Sequence, residues 1–310
     1  MLRVSLARFL MATRFEAVVA GEDSARCRAA GEEALEEVEG LEALLTAFRP
    51  TSDIGRINAS AGRDWVCLDP RVYTLLRRCR ELSVQTEGAF DITVGPLLRA
   101  WGFHGSSGRW PEEADIRSAL ALCGADQLQL DEDGYRARLD SAGASLDLGA
   151  VGKGYAVDAA VDLLRESGVP SALLHGGTST VKAMGEAYPI EIAYPGDQTI
   201  LATVTLEDGL ALSVSAGHGK SFTGPDGQQF GHVLDPRTGR PVAGAVLAAV
   251  CAPSAMLTDA ISTALLVLGP AGLEIMHTNW PDASALVLPA DGRPQTLGAA
   301  FTAGLGSGAY

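Results

Sequence analysis

Asp259 and Thr263 stand four residues apart within Ser254 to Leu268, where Leu257, Ile261, Ala264 and Leu265 recur at helical spacing. On a helix their oxygens project from one face. A carboxylate with a hydroxyl is a hard-oxygen pair suited to Mg²⁺, whose shell a substrate phosphate and water would complete. Helix capping or a solvated surface is the alternative for such a pair taken alone. A second candidate is Ser145 to Asp158, SLDLGAVGKGYAVD, expected as a short strand (Ser145, Leu146, Asp147, Leu148), a glycine turn and a helix. Val157, Ala160, Val161 and Leu164 form the helix's apolar face, and Gly168 and Pro170 close it. Exposed amides of a first helical turn favour an anion, Lys153 adds a cation, and Asp147 adds a carboxylate at the strand end. The chemistry this suits is a phosphate-bearing ligand, with an ordinary glycine-rich connection as the alternative. The loop is not a Walker loop, because Gly154 rather than Ser or Thr follows Lys153, and its glycines lack the dinucleotide spacing. The third is His232-Val233-Leu234-Asp235-Pro236-Arg237-Thr238-Gly239-Arg240-Pro241, a turn rich in functional side chains that also reads as a structural Asp-Pro turn.

These segments need a scaffold. Leu2 to Ala20 reads as strands broken near Met11-Ala12-Thr13, and Ser24 to Phe48 as an amphipathic helix with Ala34, Leu35, Val38, Leu41, Leu44 and Leu45 on its apolar face. Ile54 to Asn58 is expected as a turn. Pro70 opens a helix that Gly88 follows, Ser107 to Trp110 is a polar loop, and Pro111 to Leu122 is a further helix. Leu128 to Leu139 reads as a hairpin turning at Asp131 to Gly134. Strands are expected at Tyr188 to Tyr194, Thr199 to Thr205, Gly209 to Ser215, Ala245 to Ala252 and Ala283 to Leu288, with a turn at Gly224 to Gly227 and a helix from Pro270 to Thr278. Long helices mixed with hairpins, in no βαβ rhythm, indicate an α+β fold.

Composition bounds the function. The 310 residues carry 24 basic and 38 acidic side chains, a formal net charge of -14, which argues against a nucleic-acid binder. That charge also opposes an anionic ligand, so local cations must reverse the potential inside a phosphate site. Five scattered cysteines, Cys27, Cys67, Cys79, Cys123 and Cys251, form no CxxC pair and read as buried free thiols. The N-terminal residues alternate like a strand and lack both a signal-peptide apolar core and a lipoprotein cysteine. With no unbroken run of ~20 apolar residues, the expectation is a cytoplasmic protein without a membrane span, signal peptide or linker.

Taken together, MATRFE from Met11, FRPTSDIGRIN, GAFDITVGPLLRAWGF, LDLGAVGKGYAVD, HVLDPRTGRPV and TDAISTAL resemble, in register, the ApbE family of FAD:protein FMN transferases. The resemblance covers nearly the whole chain. It implies a single domain over residues 1–310, with mixed or antiparallel sheets flanked by helices and the flavin site in a central cleft. Such enzymes bind FAD and, with Mg²⁺, pass its FMN half to a Thr or Ser hydroxyl of an acceptor flavoprotein, releasing AMP. Some relatives hydrolyse FAD to FMN and AMP, and a non-catalytic FAD-storage protein is a third reading. By the resemblance, Met11, Phe48, Ala89, Phe90, Asp91, Asp147, Lys153 and Leu234 line the FAD site. The Ala150 carbonyl, Asp259 and Thr263 hold the metal, which also makes Asp259 catalytic. His232 is the candidate for proton handling or phosphate contact, a structural histidine being the alternative. Phe48 stands where many relatives have Tyr, Ser262 at a position that is sometimes acidic and Thr178 where an acidic residue is common, and Ser215-Ala216-Gly217-His218 departs from the usual Thr-Ser-Gly.

Overall fold

Alternating residues from Leu2 to Gly21 fold as a hairpin of β1 (Leu2–Leu10) and β2 (Thr13–Gly21). Met11 and Ala12 turn it with φ of 48° and 59°, the left-handed backbone that tight hairpins need. The Met11 N–H donates to Glu42 Oε1 at 2.9 Å, so a helix side chain holds the turn. The computed structural model describes residues 1–303 apart from 105–107, 198, 218–220, 225–226, 228, 243 and 291. Gly105, Ser107, His218 and the Pro225-Asp226 centre of the expected turn therefore lie outside the described residues.

The hairpin begins a sheet continued by β3 (Ser171–Gly176), β4 (Thr180–Met184), β5 (Ala211–Ala216), β6 (Leu247–Ala252), β7 (Ser284–Leu288) and β8 (Gln295–Leu297), in that spatial order. Every neighbouring pair is antiparallel, so the expected choice of mixed or antiparallel sheets resolves to antiparallel. The helices are α1 (Ser24–Leu45), α2 (Asp53–Ala59), α3 (Pro70–Gln85), α4 (Gly95–Ala100), α5 (Glu113–Leu120), α6 (Gly152–Glu166), α7 (Ala255–Leu268) and α8 (Gly272–Asn279). Helices α1, α6 and α7 share one core with the sheet. On the other face a three-stranded sheet, Tyr188–Ala193, Ile200–Leu206 and Phe301–Ala303, buries Ile192, Val204 and Leu206 against Leu173, Leu212 and Leu247. Strand alternation assigns the faces. Along β5, Ser213 and Ser215 meet α7, while Leu212 packs in the second core.

Several expectations are corrected. Ser145 to Leu148 is extended but belongs to no strand. The Asn58 side chain serves as its pairing partner, donating to Leu146 O at 3.0 Å and accepting from Leu146 N at 2.7 Å, while Asp147 N donates to Ile92 O. Ile54 to Asn58 is part of a helix, not a turn, because Ser52 Oγ caps it at Gly55 N. Helix α1 ends at Leu45, and the Pro111 to Leu122 helix contracts to α5. The Pro270 to Thr278 helix starts with a tight turn at Gly269–Ala271 before α8. Strands β4, β8, Val66–Cys67 and Phe301–Ala303 and helix α4 were not foreseen. Cys67 is exposed, not buried. All five cysteines are free thiols. Ala255–Asn279 has the length and apolarity of a membrane span, yet most of it is buried here as core.

The same substitution has opposite signs at two helical glycines. Gly40 is exposed on α1 with nothing within 4 Å of an added methyl, so Gly40→Ala raises stability by about 0.5–1 kcal/mol. At Gly154 the methyl would sit 2.2 Å from the Ala255 carbonyl oxygen, so Gly154→Ala lowers stability by about 1–3 kcal/mol. Urea midpoints at unchanged slope measure both.

Candidate active site

The site begins where α6 crosses α7. Gly154 permits the approach, and its N–H donates to Asp259 Oδ2 at 3.1 Å. One turn further along α6, Asp158 fixes the N-terminus of α7. Its carboxylate accepts from Ala255 N, Met256 N and Ser254 Oγ, each at 2.9 Å, and from Lys182 Nζ of β4 at 2.7 Å. A carboxylate on the orphan amides of a helix start satisfies donors and complements the helix dipole. From this anchor Asp259 falls one turn inside α7.

Asp259 is 3% exposed, and its carboxylate accepts from Gly154 N at 3.1 Å and, over longer distances, from Lys153 Nζ and Thr180 Oγ1, each at 3.4 Å. Hydroxyls surround it. Ser215 Oγ lies 2.9 Å from Ser262 Oγ and 3.2 Å from Thr263 Oγ1, and Ser213 Oγ bridges Thr180 and Thr258. Thr263 Oγ1 also donates to Asp259 O at 3.2 Å. Among the described residues no three His, Cys, Asp or Glu side chains cluster, so a multi-carboxylate or His/Cys cage is not what this centre offers. One buried, weakly compensated carboxylate with neutral oxygens fits Mg²⁺, which takes one or two protein carboxylates and completes its shell with water and substrate phosphate. Ala150 lines the same cavity as Asp259 and Thr263. Lys153 Nζ donates to Gly149 O at 3.2 Å as well as to Asp259, and no side chain caps α6.

These groups open onto a cavity of about 1080 Å³. Every sequence-predicted site residue lines it: Met11, Phe48, Ala89, Phe90, Asp91, Asp147, Ala150, Lys153, His232, Leu234, Asp259 and Thr263. Phe48 is 70% exposed at its rim and stacks obliquely on His104, ring centroids 5.2 Å apart. His104 Nε2 is 3.3 Å from Asp147 Oδ2, and Asp147 Oδ1 accepts from Gly149 N, so one carboxylate ties the aromatic rim to the glycine turn. Asp91 is buried, and that burial raises its carboxyl pKa against the Thr93 and Ser83 hydrogen bonds that lower it. His232 meets Phe103 edge-on at 6.4 Å.

Sequence reasoning missed His104, Glu42, Thr180 and His175, all of which line the cavity. His104 sits at the end of the glycine- and aromatic-rich Gly88 to Gly105 segment, which was a usable signal. The others sit on strands or helix faces whose partners lie far away in sequence. Burial dominates at His175 and holds its imidazole below the ordinary 6.5, Glu16 partly opposing. Burial likewise pushes the Cys123 thiol up to about 12 and that of Cys251 to about 11.

The ApbE family model matches residues 11–287. An FAD:protein FMN transferase of Klebsiella pneumoniae is 35% identical over 208 residues, 66% of this chain and 64% of that protein, less than two thirds of the relative's length. The crystal structure of the ApbE protein of Thermotoga maritima superposes with a TM-score of 0.88 at 26% identity, covering 96% of this chain and 97% of that one. That of the Pseudomonas stutzeri flavinyl transferase ApbE in its apo form has a TM-score of 0.81 at 31% identity, covering 98% and 95%.

Removing the Asp158 anchor leaves the start of α7 and Lys182 uncompensated, so Asp158→Ala costs about 2–3 kcal/mol. A double-mutant cycle with Lys182→Met returns a coupling of about 1–3 kcal/mol if the pair acts as a unit. For His175 the folded pKa lies below the unfolded one. Its contribution is therefore complete above 6.5 and is lost as pH falls through that value towards the folded pKa. Urea midpoints taken between about pH 7 and pH 5 fall less in His175→Gln than in the parent.

Proposed function

The chain belongs to the ApbE family, and from that premise we propose that it is a Mg²⁺-dependent FAD:protein FMN transferase. It binds FAD in the cavity and attaches FMN to a Thr or Ser of an acceptor flavoprotein, releasing AMP. The observation that carries this reading is the convergence of Asp147, Lys153, Asp259 and Thr263 with the exposed ring of Phe48 on one cavity. A storage protein would need an aromatic cleft but no hard-oxygen centre beside the phosphates.

The acceptor oxygen forms a bond to the FMN phosphorus as the bond from that phosphorus to the bridging oxygen breaks. AMP leaves with the electron pair, and the hydroxyl proton is lost. Asp259, Thr263 and the Ala150 carbonyl would hold Mg²⁺, which when bound neutralises charge building on the phosphate oxygens. Lys153 and the uncapped start of α6 bind the pyrophosphate against the net charge of -14. Phe48, exposed at the rim, gives apolar surface to the flavin, and Phe90 packs in the core behind the cavity wall. His232 is assigned the proton of the incoming hydroxyl, and the protein's remaining task is to hold that oxygen in line.

The test is intact mass spectrometry of a flavinylation-acceptor domain incubated with this protein, FAD and Mg²⁺, with AMP followed in parallel. The expected result is a mass gain of one FMN, abolished by chelator. AMP release without labelling would instead establish FAD hydrolysis, and neither signal with FAD bound would establish storage. Asp259→Ala lowers the Mg²⁺-dependent rate about a hundredfold or more. Lys153→Ala weakens FAD binding about tenfold. An unchanged rate in His232→Ala removes that residue from proton transfer.

A further inference from the structure

The cavity contains one element that FAD chemistry does not use. Strand Tyr188–Ala193 is the edge of its three-stranded sheet: Ile200–Leu206 pairs with one side and, among the described residues, no strand pairs with the other. Ile190, Glu191, Ile192 and Ala193 line the cavity that also contains Lys153, Asp259 and Thr263. Side chains alternate along a strand, so a strand facing the cavity with one face would contribute every second residue. Four in succession mean that the cavity runs along the backbone edge.

Register identifies the groups aimed there. The pairing is regular from Pro189 opposite Thr205 to Ile192 opposite Ala202, shifting only between Ile192 and Ala193, and Pro189 has no N–H to give to the neighbouring strand. In an antiparallel pair, residues bonded to the partner alternate with residues whose N–H and C=O point away. Pro189 and Glu191 therefore belong to the outward set, and Glu191 is exposed. Val181, Leu212, Val214 and Leu247, which pack in the second core beneath this strand, give the same cavity an apolar stretch of wall.

We infer that the Ile190–Ala193 edge is the acceptor dock: it takes an extended segment of the acceptor flavoprotein as an added strand, main chain to main chain. The inference rests on the transferase reading. Strand addition draws affinity from backbone hydrogen bonds and selectivity from alternate side chains. Such docking suits this reaction because an extended segment carries its Thr or Ser hydroxyl into a cleft that a folded surface could not enter. The chain's net charge of -14 favours an uncharged or basic flank over an acidic one.

The test uses the full chain and a flavinylation-acceptor domain. Glu191→Pro deletes an outward N–H without touching the inner ladder, and Glu191→Gln deletes only the charge. Glu191→Pro is expected to raise the acceptor KM about tenfold, the loss of one or two hydrogen bonds, with FAD affinity and the rate at saturating acceptor unchanged. Glu191→Gln keeps a KM within about twofold of the parent. Should Glu191→Pro not fold, synthetic peptides spanning the flavinylated Thr, each N-methylated at one backbone position, give the same answer. Labelling lost at alternate positions supports the dock. Indifference to N-methylation, an unchanged KM in folded Glu191→Pro, or a dimer of the parent that Glu191→Pro dissolves would overturn it, the last assigning the edge to a second copy. If the unmodified domain is never labelled while FAD is cleaved, the transferase reading itself fails and the dock falls with it.

Discussion

The crossing of α6 and α7 is the constraint from which the rest of the site follows. A side chain at Gly154 would collide with the Ala255 carbonyl, and only its absence lets an α6 amide reach the Asp259 carboxylate. Asp158 sets the register of that crossing by holding the first amides of α7, and Lys182 links the same carboxylate to the central sheet. The glycine turn before α6 and the carboxylate inside α7 come from sequence positions about a hundred residues apart. They meet because two helices are held at one distance and one register.

Charge around Asp259 is kept sparse. Buried ionised groups are stable only when paired or hydrogen-bonded, and the pairing here is long and incomplete. The neighbouring serines and threonines satisfy one another without contributing a second carboxylate. The result is a centre with one carboxylate, one ammonium and a ring of neutral oxygens, a donor set that leaves room for a hard cation whose shell water and phosphate complete.

The all-antiparallel sheet divides this labour between its faces. Towards the helices β5 presents Ser213 and Ser215, and towards the second sheet it presents apolar residues. The cavity meets both environments where β4 starts and β5 ends, placing the polar centre and apolar core residues on one volume. Each strand of the main sheet neighbours the main-sheet strand before it, although the connections are long, that from β2 to β3 running from Gly21 to Ser171.

Much of this was legible in the amino-acid order. The amphipathic stripe of α1, the proline start of α3, the Asp-rich hairpin turn and the i, i+4 relation of Asp259 and Thr263 all depend on neighbours a few residues away. Local chemistry decides such features. The motif residues could therefore be named from the chain, and all of them line one cavity. What was misread depends on distant partners. Ser145 to Leu148 has strand-like residues but pairs with an Asn58 side chain, and β4 has no outstanding pattern until β3 and β5 flank it. Thr180, Ser213 and His104 are ordinary residues whose roles come from what faces them. Only the tertiary structure could decide those contacts, since a strand's edge and a side chain's partner are set by packing between segments and leave no periodicity in either one.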